Sequence, residues 1–144
     1  MFRQRPSAEL SHAALQAMHF AELARHIVGG DAKFSSAADP AFYEKLTAGL
    51  AAITDEAIER AALPFFQRQL SEAEAQAALS FFASPIGSAI AAKLVDEDST
   101  KLTEAEEAAF TQFKGSAHGI AVERFLGDPL VMPAIAEEVV NHAP

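Results

Sequence analysis

Residues 70–94 read LSEAEAQAALSFFASPIGSAIAAKL, and residues 102–126 read LTEAEEAAFTQFKGSAHGIAVERFL. The two stretches align without gaps at an offset of 32 residues, and ten of their 25 positions are identical. Alanine, which is abundant along the whole chain, accounts for only three of the ten matches. This self-similarity predicts two copies of one supersecondary unit, and we expect each copy to be a helical hairpin.

Each copy begins with the signature of a capping box. Ser71 or Thr103 can accept hydrogen bonds from backbone amides, while Glu74 or Glu106, three residues later, can reach back to the capping residue. The pattern therefore predicts where the first helix of each copy begins.

A second helix start is predicted in the middle of each copy. Ser84 and Ser116 are candidate N-caps, and Pro85 follows at the first helical position in the first copy. Gly87 and Gly119 lie one turn further on, where glycine costs about 1 kcal/mol relative to alanine. We therefore expect a neighbouring backbone to approach closely at both glycines.

The first helix of each copy also shows a candidate packing face. Two alanines and a phenylalanine recur there at a spacing of four residues, and they are Ala73, Ala77 and Phe81 in the first copy and Ala105, Ala109 and Phe113 in the second. The copies differ where Lys114 replaces Phe82 and where His118 replaces Ile86, so the second copy should present a more polar face. On this basis Phe81→Ala should cost about 3–5 kcal/mol and Phe82→Ala less.

The N-terminal third predicts one long helix followed by a loop. Apolar residues recur with helical spacing from Ser7 to Val28, and Gly29-Gly30 should end the helix. We expect a loop over residues 31–38, after which Asp39-Pro40 supplies a capping carboxylate and a proline at the first helical position.

The region from residue 40 to residue 69 predicts helix with two interruptions. Thr54-Asp55 resembles a new cap, and Pro64 lacks a backbone N–H, so we expect a break or kink near each. The cluster of Leu63, Phe65 and Phe66 is expected to be core rather than an exposed patch.

The C-terminal segment completes the predicted fold. Asp128-Pro129 should start it, Pro133 should interrupt it, and residues from Ala134 to His142 should form a short closing helix. The fold class is therefore all-α. We expect one domain over residues 1–144, a compact bundle of about six to eight helices that contains the two duplicated hairpins.

Composition excludes several classes of partner and site. The formal net charge of −9 repels phosphate backbones, so no nucleic-acid partner is expected. The chain has no cysteine, and no stretch approaches the roughly 20 apolar residues of a membrane span. Arg3 and Arg5 are not followed by a continuous apolar region, so we expect a periplasmic location if a signal peptide has been removed and a cytoplasmic one otherwise.

One segment resembles a known bacterial family. An acidic helix entry, an aromatic pair and a Ser-Pro-x-Gly turn occur at Glu72, Glu74, Phe81, Phe82, Ser84, Pro85 and Gly87. Over roughly residues 45–95 this pattern resembles the family catalogued as domain of unknown function (DUF) 2059. The resemblance implies an all-helical domain, typical of proteins exported to the bacterial periplasm, without an established activity or accepted catalytic residues.

The sequence contains one candidate for metal chemistry. It has no Gly-rich phosphate loop, no Gly-x-Ser-x-Gly elbow and no EF-hand pattern, and no cofactor is expected. His12, His19 and His26 are spaced by seven, and Glu22 lies between the last two, so His19, Glu22 and His26 are weak candidate metal ligands. However, residues seven apart on a helix are separated by about 10.5 Å along its axis, and a polar face is the simpler interpretation. His118 and His142 are expected at the surface.

Three functions are compatible with these observations. A non-catalytic module could bind a protein partner or form a homo-oligomer through its hairpin faces. A carrier could instead hold an apolar small molecule among the helices, with Phe65, Phe66, Phe81 and Phe82 as possible apolar binding residues. A metal-dependent enzyme would use His19, Glu22 and His26. The missing catalytic signatures favour the first function.

Overall fold

The computed structural model describes residues 4–35, 39–95 and 101–144, and the described chain is helical without strands. The all-α prediction is confirmed, with more helices than expected. The helices are α1 (Ala8–Ala17), α2 (Phe20–Ser35), α3 (Pro40–Ala52), α4 (Asp55–Gln69), α5 (Glu72–Ala83), α6 (Pro85–Leu94), α7 (Glu104–Gly115), α8 (Ala117–Leu126) and α9 (Val131–Asn141).

The predicted helix starts of the two similar segments are confirmed. Ser71 and Glu74 form a capping box at α5, and Thr103 and Glu106 form another at α7. α5 and α7 are 12 residues long, and α6 and α8 are 10 residues long. The offset of 32 residues is therefore kept in the helix boundaries.

The first segment is nevertheless a helix corner and not the expected helical hairpin. The axes of α5 and α6 are bent by 86° across the single residue Ser84. One linking residue leaves too little chain for the second helix to turn back along the first.

No single described helix is long and apolar enough to cross a membrane. α5 and α6 counted together have the length and apolar composition of a membrane span.

The N-terminal helix is divided where the sequence predicted continuity. His19 adopts a positive φ of 54° between α1 and α2, which is uncommon for a residue other than glycine. The bend lets Leu15 before it and Phe20 after it both reach the core. Conversely, Gly29-Gly30 does not end a helix, because neither glycine has a positive φ and α2 continues to Ser35.

Two prolines lie inside helices that were expected to break at them. α4 continues through Pro64, because Ile58, Ala62 and Phe66 on both sides of it are fully buried and this burial exceeds the cost of about 3 kcal/mol for the proline. Pro133 lies in the first turn of α9, where a backbone N–H has no helical partner in any case. The predicted break at Thr54-Asp55 is confirmed, with Thr54 as the N-cap of α4.

The centre of the core is a set of aromatic rings contributed by three helices. Phe125 of α8 lies 5.5 Å from Phe20 of α2 and 5.2 Å from Phe66 of α4, measured between ring centroids. All three side chains are almost completely buried. The predicted core position of Phe66 is confirmed, while Leu63 and Phe65 beside it are half-buried.

The packing face of α5 is displaced from the predicted one. Ala73 is exposed and Phe81 is half-buried, whereas Ala75, Ala78 and Phe82 are buried. α5 packs against α1 and α8 as well as α6, and the face shared with these neighbours follows spacings of three and four. The sequence prediction used the spacing of four alone, and it therefore identified the neighbouring stripe of α5 as the packing face.

This displacement reverses the expected order of two substitutions. Phe82→Ala should lower the free energy of unfolding by about 3–5 kcal/mol, since its side chain is 4% exposed. Phe81→Ala should cost less, because Phe81 is half-buried and stacks on Phe113 at 4.3 Å. Urea titration of both variants measures the difference, and a larger loss for Phe81→Ala would contradict the observed packing.

Candidate functional site

A pocket rich in carboxylates lies where the bend between α1 and α2 meets the start of α4. We call it the acidic pocket; its volume is about 530 Å³, it is open to solvent, and its lining residues are His12, Gln16, His19, Ala21, Glu22, Asp55, Glu56 and Glu59. Four of these eight residues carry carboxyl groups. The pocket exists because the bend at His19 directs α1 and α2 along different paths past α4.

Arg25 holds one rim of the acidic pocket in place. Its guanidinium donates hydrogen bonds to the backbone carbonyls of Leu50 at 2.8 Å and Ile53 at 2.6 Å, and to Asp55 Oδ1 at 2.9 Å. The C-terminal end of α3 and the first turn of α4 are thereby tied to α2. Glu56 on the same turn pairs with Arg60 at 3.1 Å.

The most unusual group in the pocket is the carboxylate of Glu59. Its side chain is only 7% exposed, and its Oε2 lies 3.2 Å from Nε2 of His12. Among the described residues, however, none donates a hydrogen bond to this buried Oε2. Burial raises the pKa of the Glu59 carboxyl; His12 opposes the rise, while Asp55 and Glu56 add to it.

The predicted metal-ligand candidates are distributed differently from the single stripe that the sequence suggested. His19 Nδ1 lies 3.5 Å from Glu22 Oε1, and both residues line the acidic pocket. His26 is exposed further along α2, and His12 belongs to α1, so the spacing of seven does not place the histidines on one helix. In the described parts of the chain, no three His, Asp or Glu residues are arranged to hold a metal ion.

We expect stoichiometric zinc to leave the melting temperature unchanged. A metal that binds only the folded state would raise it by mass action, but His19 and Glu22 offer two ligands at most. The His19→Ala, His26→Ala double variant should also remain folded. A zinc-dependent rise in a thermal melt that the double variant abolishes would show that the three candidates form a site.

Sequence reasoning missed Glu59, although a signal was present. Glu59, Ala62 and Phe66 follow one another at spacings of three and four, so a carboxylate occupies the same helical face as two core residues. Its contact with His12 spans 47 positions of sequence and depends on how α1 packs against α4. His118 and His142 are exposed, as predicted.

The corner between α5 and α6 explains why the sequence has a Ser-Pro-x-Gly turn at Ser84, Pro85 and Gly87. Ser84 Oγ donates to the carbonyl of Phe81 at 2.5 Å and accepts from the N–H of Gly87 at 3.2 Å, so one side chain caps both helices. A Cβ atom on Gly87 would lie 1.8 Å from the Phe81 carbonyl oxygen. The expected close approach of a backbone is thereby confirmed, and the residues of the motif make the corner.

This corner lies within the part of the chain that matches a known family. Residues 56–96 match the family described as "Uncharacterized protein conserved in bacteria (DUF2059)". The predicted resemblance is confirmed over this segment, which includes α5, α6 and nearly all of α4. No curated protein and no solved structure matches the chain.

The second corner repeats the geometry outside the DUF2059 segment. Ser116 Oγ donates to the Phe113 carbonyl at 2.6 Å and accepts from the N–H of Gly119 at 3.0 Å. A Cβ atom on Gly119 would lie 1.7 Å from the Phe113 carbonyl oxygen. The Lys93 ammonium of α6 also donates to Glu106 Oε1 at 2.6 Å, which links the two corners and lowers the pKa of Glu106.

The phenylalanines proposed for apolar ligand binding make contacts within the protein. Phe66 packs on Phe125, and Phe81 and Phe82 contact each other and Phe113, with ring centroids 4.3 to 5.7 Å apart. Phe65 is half-buried beneath the guanidinium of Arg68, which lies 4.9 Å from its ring centroid.

A second open concavity lies along α7. We call it the α7 groove; its volume is about 880 Å³, and its lining residues are Leu102, Glu104, Glu107, Ala108, Phe110, Thr111, Gln112 and Lys114. Phe110 is half-buried, and the Lys114 ammonium lies 4.6 Å from its ring centroid. α7 packs against α6 and α8, and its buried residue is Glu106.

Proposed function

We propose that the chain is a non-catalytic protein-interaction module that binds a basic helical segment of a partner protein in the α7 groove. The observation that carries the proposal is a difference between α5 and α7. The two helices have the same length and both begin with a capping box, but their equivalent faces differ in burial. The buried positions Ala75, Ala78 and Phe82 of α5 correspond to Glu107, Phe110 and Lys114 of α7, which line the groove.

We also propose that the chain is one domain over residues 1–144 in which the two corners arose by duplication, because duplication would explain why α5 and α7 are equivalent. Three similarities support this second proposal: the paired helices have equal lengths, they begin with the same types of cap, and Gly87 and Gly119 make equivalent backbone contacts. On this interpretation the second copy kept the residues that make the corner and changed the face of its first helix. In the first copy, α5 packs against another helix, α1, which suggests a helix as the occupant of the groove.

Charge favours a basic partner over a second copy of the chain. The net charge of −9 makes two copies repel each other and attracts a cationic segment. Glu104 and Glu107 line the groove together with the apolar side chains of Ala108 and Phe110. An amphipathic helix with an apolar stripe bordered by lysine or arginine complements this arrangement.

The proposal is tested by titrating the ¹⁵N-labelled protein with a lysine-rich amphipathic peptide of about 18 residues, long enough to form a helix. We expect saturable amide shift changes along residues 104–114. A peptide of the same pattern with glutamate in place of lysine should produce none.

Charge reversal provides the matched control. Glu104→Lys together with Glu107→Lys should weaken binding about tenfold, because both interfacial attractions become repulsions. Glu44→Lys together with Glu137→Lys changes the net charge equally on the exposed faces of α3 and α9 and should have little effect. Shift changes confined to other helices, equal loss in both double variants, or self-association through α7 would contradict the proposal.

A further inference from the structure

The acidic pocket is separate from the α7 groove and has its own unsatisfied group. We propose that it binds the primary ammonium or guanidinium group of an organic cation, with Glu59 as the principal acceptor. The group could belong to a free amine or to a lysine or arginine side chain of another protein, since the N–H donors and the charge are the same.

The buried oxygen of Glu59 is the first argument for a ligand. Buried carboxylate oxygens ordinarily accept hydrogen bonds, and leaving one without a donor is costly. Oε2 of Glu59 is buried and accepts none from the described residues, although the His12 ring is close. A cationic N–H donor would supply both the hydrogen bond and the opposite charge.

The charge balance of the pocket is the second argument. Of its four carboxylates, Asp55 is paired with Arg25 and Glu56 with Arg60, while Glu22 and Glu59 face the imidazole rings of His19 and His12. Two guanidinium groups therefore oppose four carboxylates. The excess negative charge lies beside the buried oxygen that needs a donor.

Access to Glu59 is controlled by His12. The His12 side chain is 39% exposed and the Glu59 side chain is 7% exposed, so the His12 ring lies between the buried carboxylate and solvent. Rotation of the ring would open Oε2 to an incoming N–H group, and the Gln16 amide and Glu22 line the remaining space. An organic cation suits this site better than a metal ion, because in the described residues no three ligands converge.

The experiment uses three small cations and the full chain. n-Butylammonium and methylguanidinium carry N–H donors, while tetramethylammonium carries the same charge without a donor. In ¹⁵N-HSQC titrations we expect the first two to give saturable shifts at residues 12, 16, 22, 56 and 59, and tetramethylammonium to bind at least about tenfold more weakly, the effect of losing charge-assisted hydrogen bonds. Acetyl-Ala-Lys-Ala-amide identifies the source: tighter binding than butylammonium indicates a protein side chain, and weaker binding indicates a free amine.

Three isosteric variants locate the site. Glu59→Gln should weaken butylammonium binding about tenfold or more, since it removes the charge of the principal acceptor. Glu123→Gln removes the same charge from an exposed position on α8 and should leave binding unchanged. Glu22→Gln, at a rim position with a 56% exposed side chain, should weaken binding about threefold even if Glu59→Gln fails to fold.

Several results would overturn this proposal. They are the lack of saturable binding, equal binding of tetramethylammonium, and equal affinity of the Glu59→Gln and Glu123→Gln variants. Zinc that displaces butylammonium at stoichiometric concentration would also overturn it, because the pocket would then be a metal site. None of these results bears on the α7 groove, so the two proposals fail separately.

Discussion

Gly87→Ala is expected to lower the free energy of unfolding by more than about 4 kcal/mol, a loss that is exceptional for adding one methyl group. The new Cβ atom would lie 1.8 Å from the Phe81 carbonyl oxygen and 2.6 Å from its carbonyl carbon. Both atoms belong to the backbone, so relief requires α5 and α6 to move apart. That movement would also displace Phe82 from the core.

Gly115→Ala is the matched control for this prediction. Gly115 ends α7, and a Cβ atom there would meet no atom of the described residues within 4 Å. Its free energy of unfolding should change by less than about 1 kcal/mol. Denaturant titration compares the free energies of unfolding of the two variants. A loss for Gly87→Ala as small as that for Gly115→Ala would contradict the prediction, because it would show that α5 and α6 can move apart at little cost.

Gly49→Ala is expected to cost more than about 3 kcal/mol, because it forces α3 away from α9. A Cβ atom on Gly49 would lie 1.9 Å from the backbone oxygen of Val139. Val139 is fully buried, so the separation would expose apolar surface at the C-terminal end of the core. The helical gain of alanine over glycine, about 1 kcal/mol, is too small to offset this.

Gly30→Ala makes the same substitution inside α2, and it is the control for Gly49→Ala. Among the described atoms, a Cβ atom at Gly30 would meet nothing within 4 Å, so this variant should be more stable than the parent by about 1 kcal/mol. Opposite signs for the two substitutions in calorimetry would confirm that close packing, and not helix propensity, determines the Gly49 result. Equal effects would contradict it.

Features that depend on neighbouring residues were predicted correctly from the sequence. The capping boxes at Ser71 and Thr103 and the cap at Asp39 are confirmed, because a capping side chain reaches amides only two or three residues away. The close approaches at Gly87 and Gly119 are confirmed for a similar reason, since the atoms they meet lie six residues earlier in the chain.

Features that depend on tertiary packing were not predicted. The bend at His19 has no glycine or proline to mark it, and it forms because Leu15 and Phe20 can then both be buried. The same packing keeps α4 continuous through Pro64. The buried face of α5 was displaced because spacing alone does not specify which neighbours cover a helix.

The acidic pocket could be predicted only in part. His19 and Glu22 were singled out and do lie together, because three residues on one helix bring side chains into contact. Glu59 and Asp55 come from α4, more than thirty positions away, and the bend at His19 places them beside α1 and α2. No pattern of neighbouring residues in the sequence predicts this contact between distant helices.

The central claim is that α5 and α7 share one scaffold, while only α7 presents its face to a partner. It is tested most directly by giving α7 the face of α5 through Glu107→Ala, Phe110→Ala and Lys114→Phe, and titrating this triple variant with the lysine-rich peptide. The variant should remain folded and should no longer bind the peptide; a loss of about 1–2 kcal/mol is expected, because Phe110 and Lys114 are half-buried and Glu107 is exposed. Peptide binding at the parent affinity, or unfolding of the triple variant, would contradict the claim.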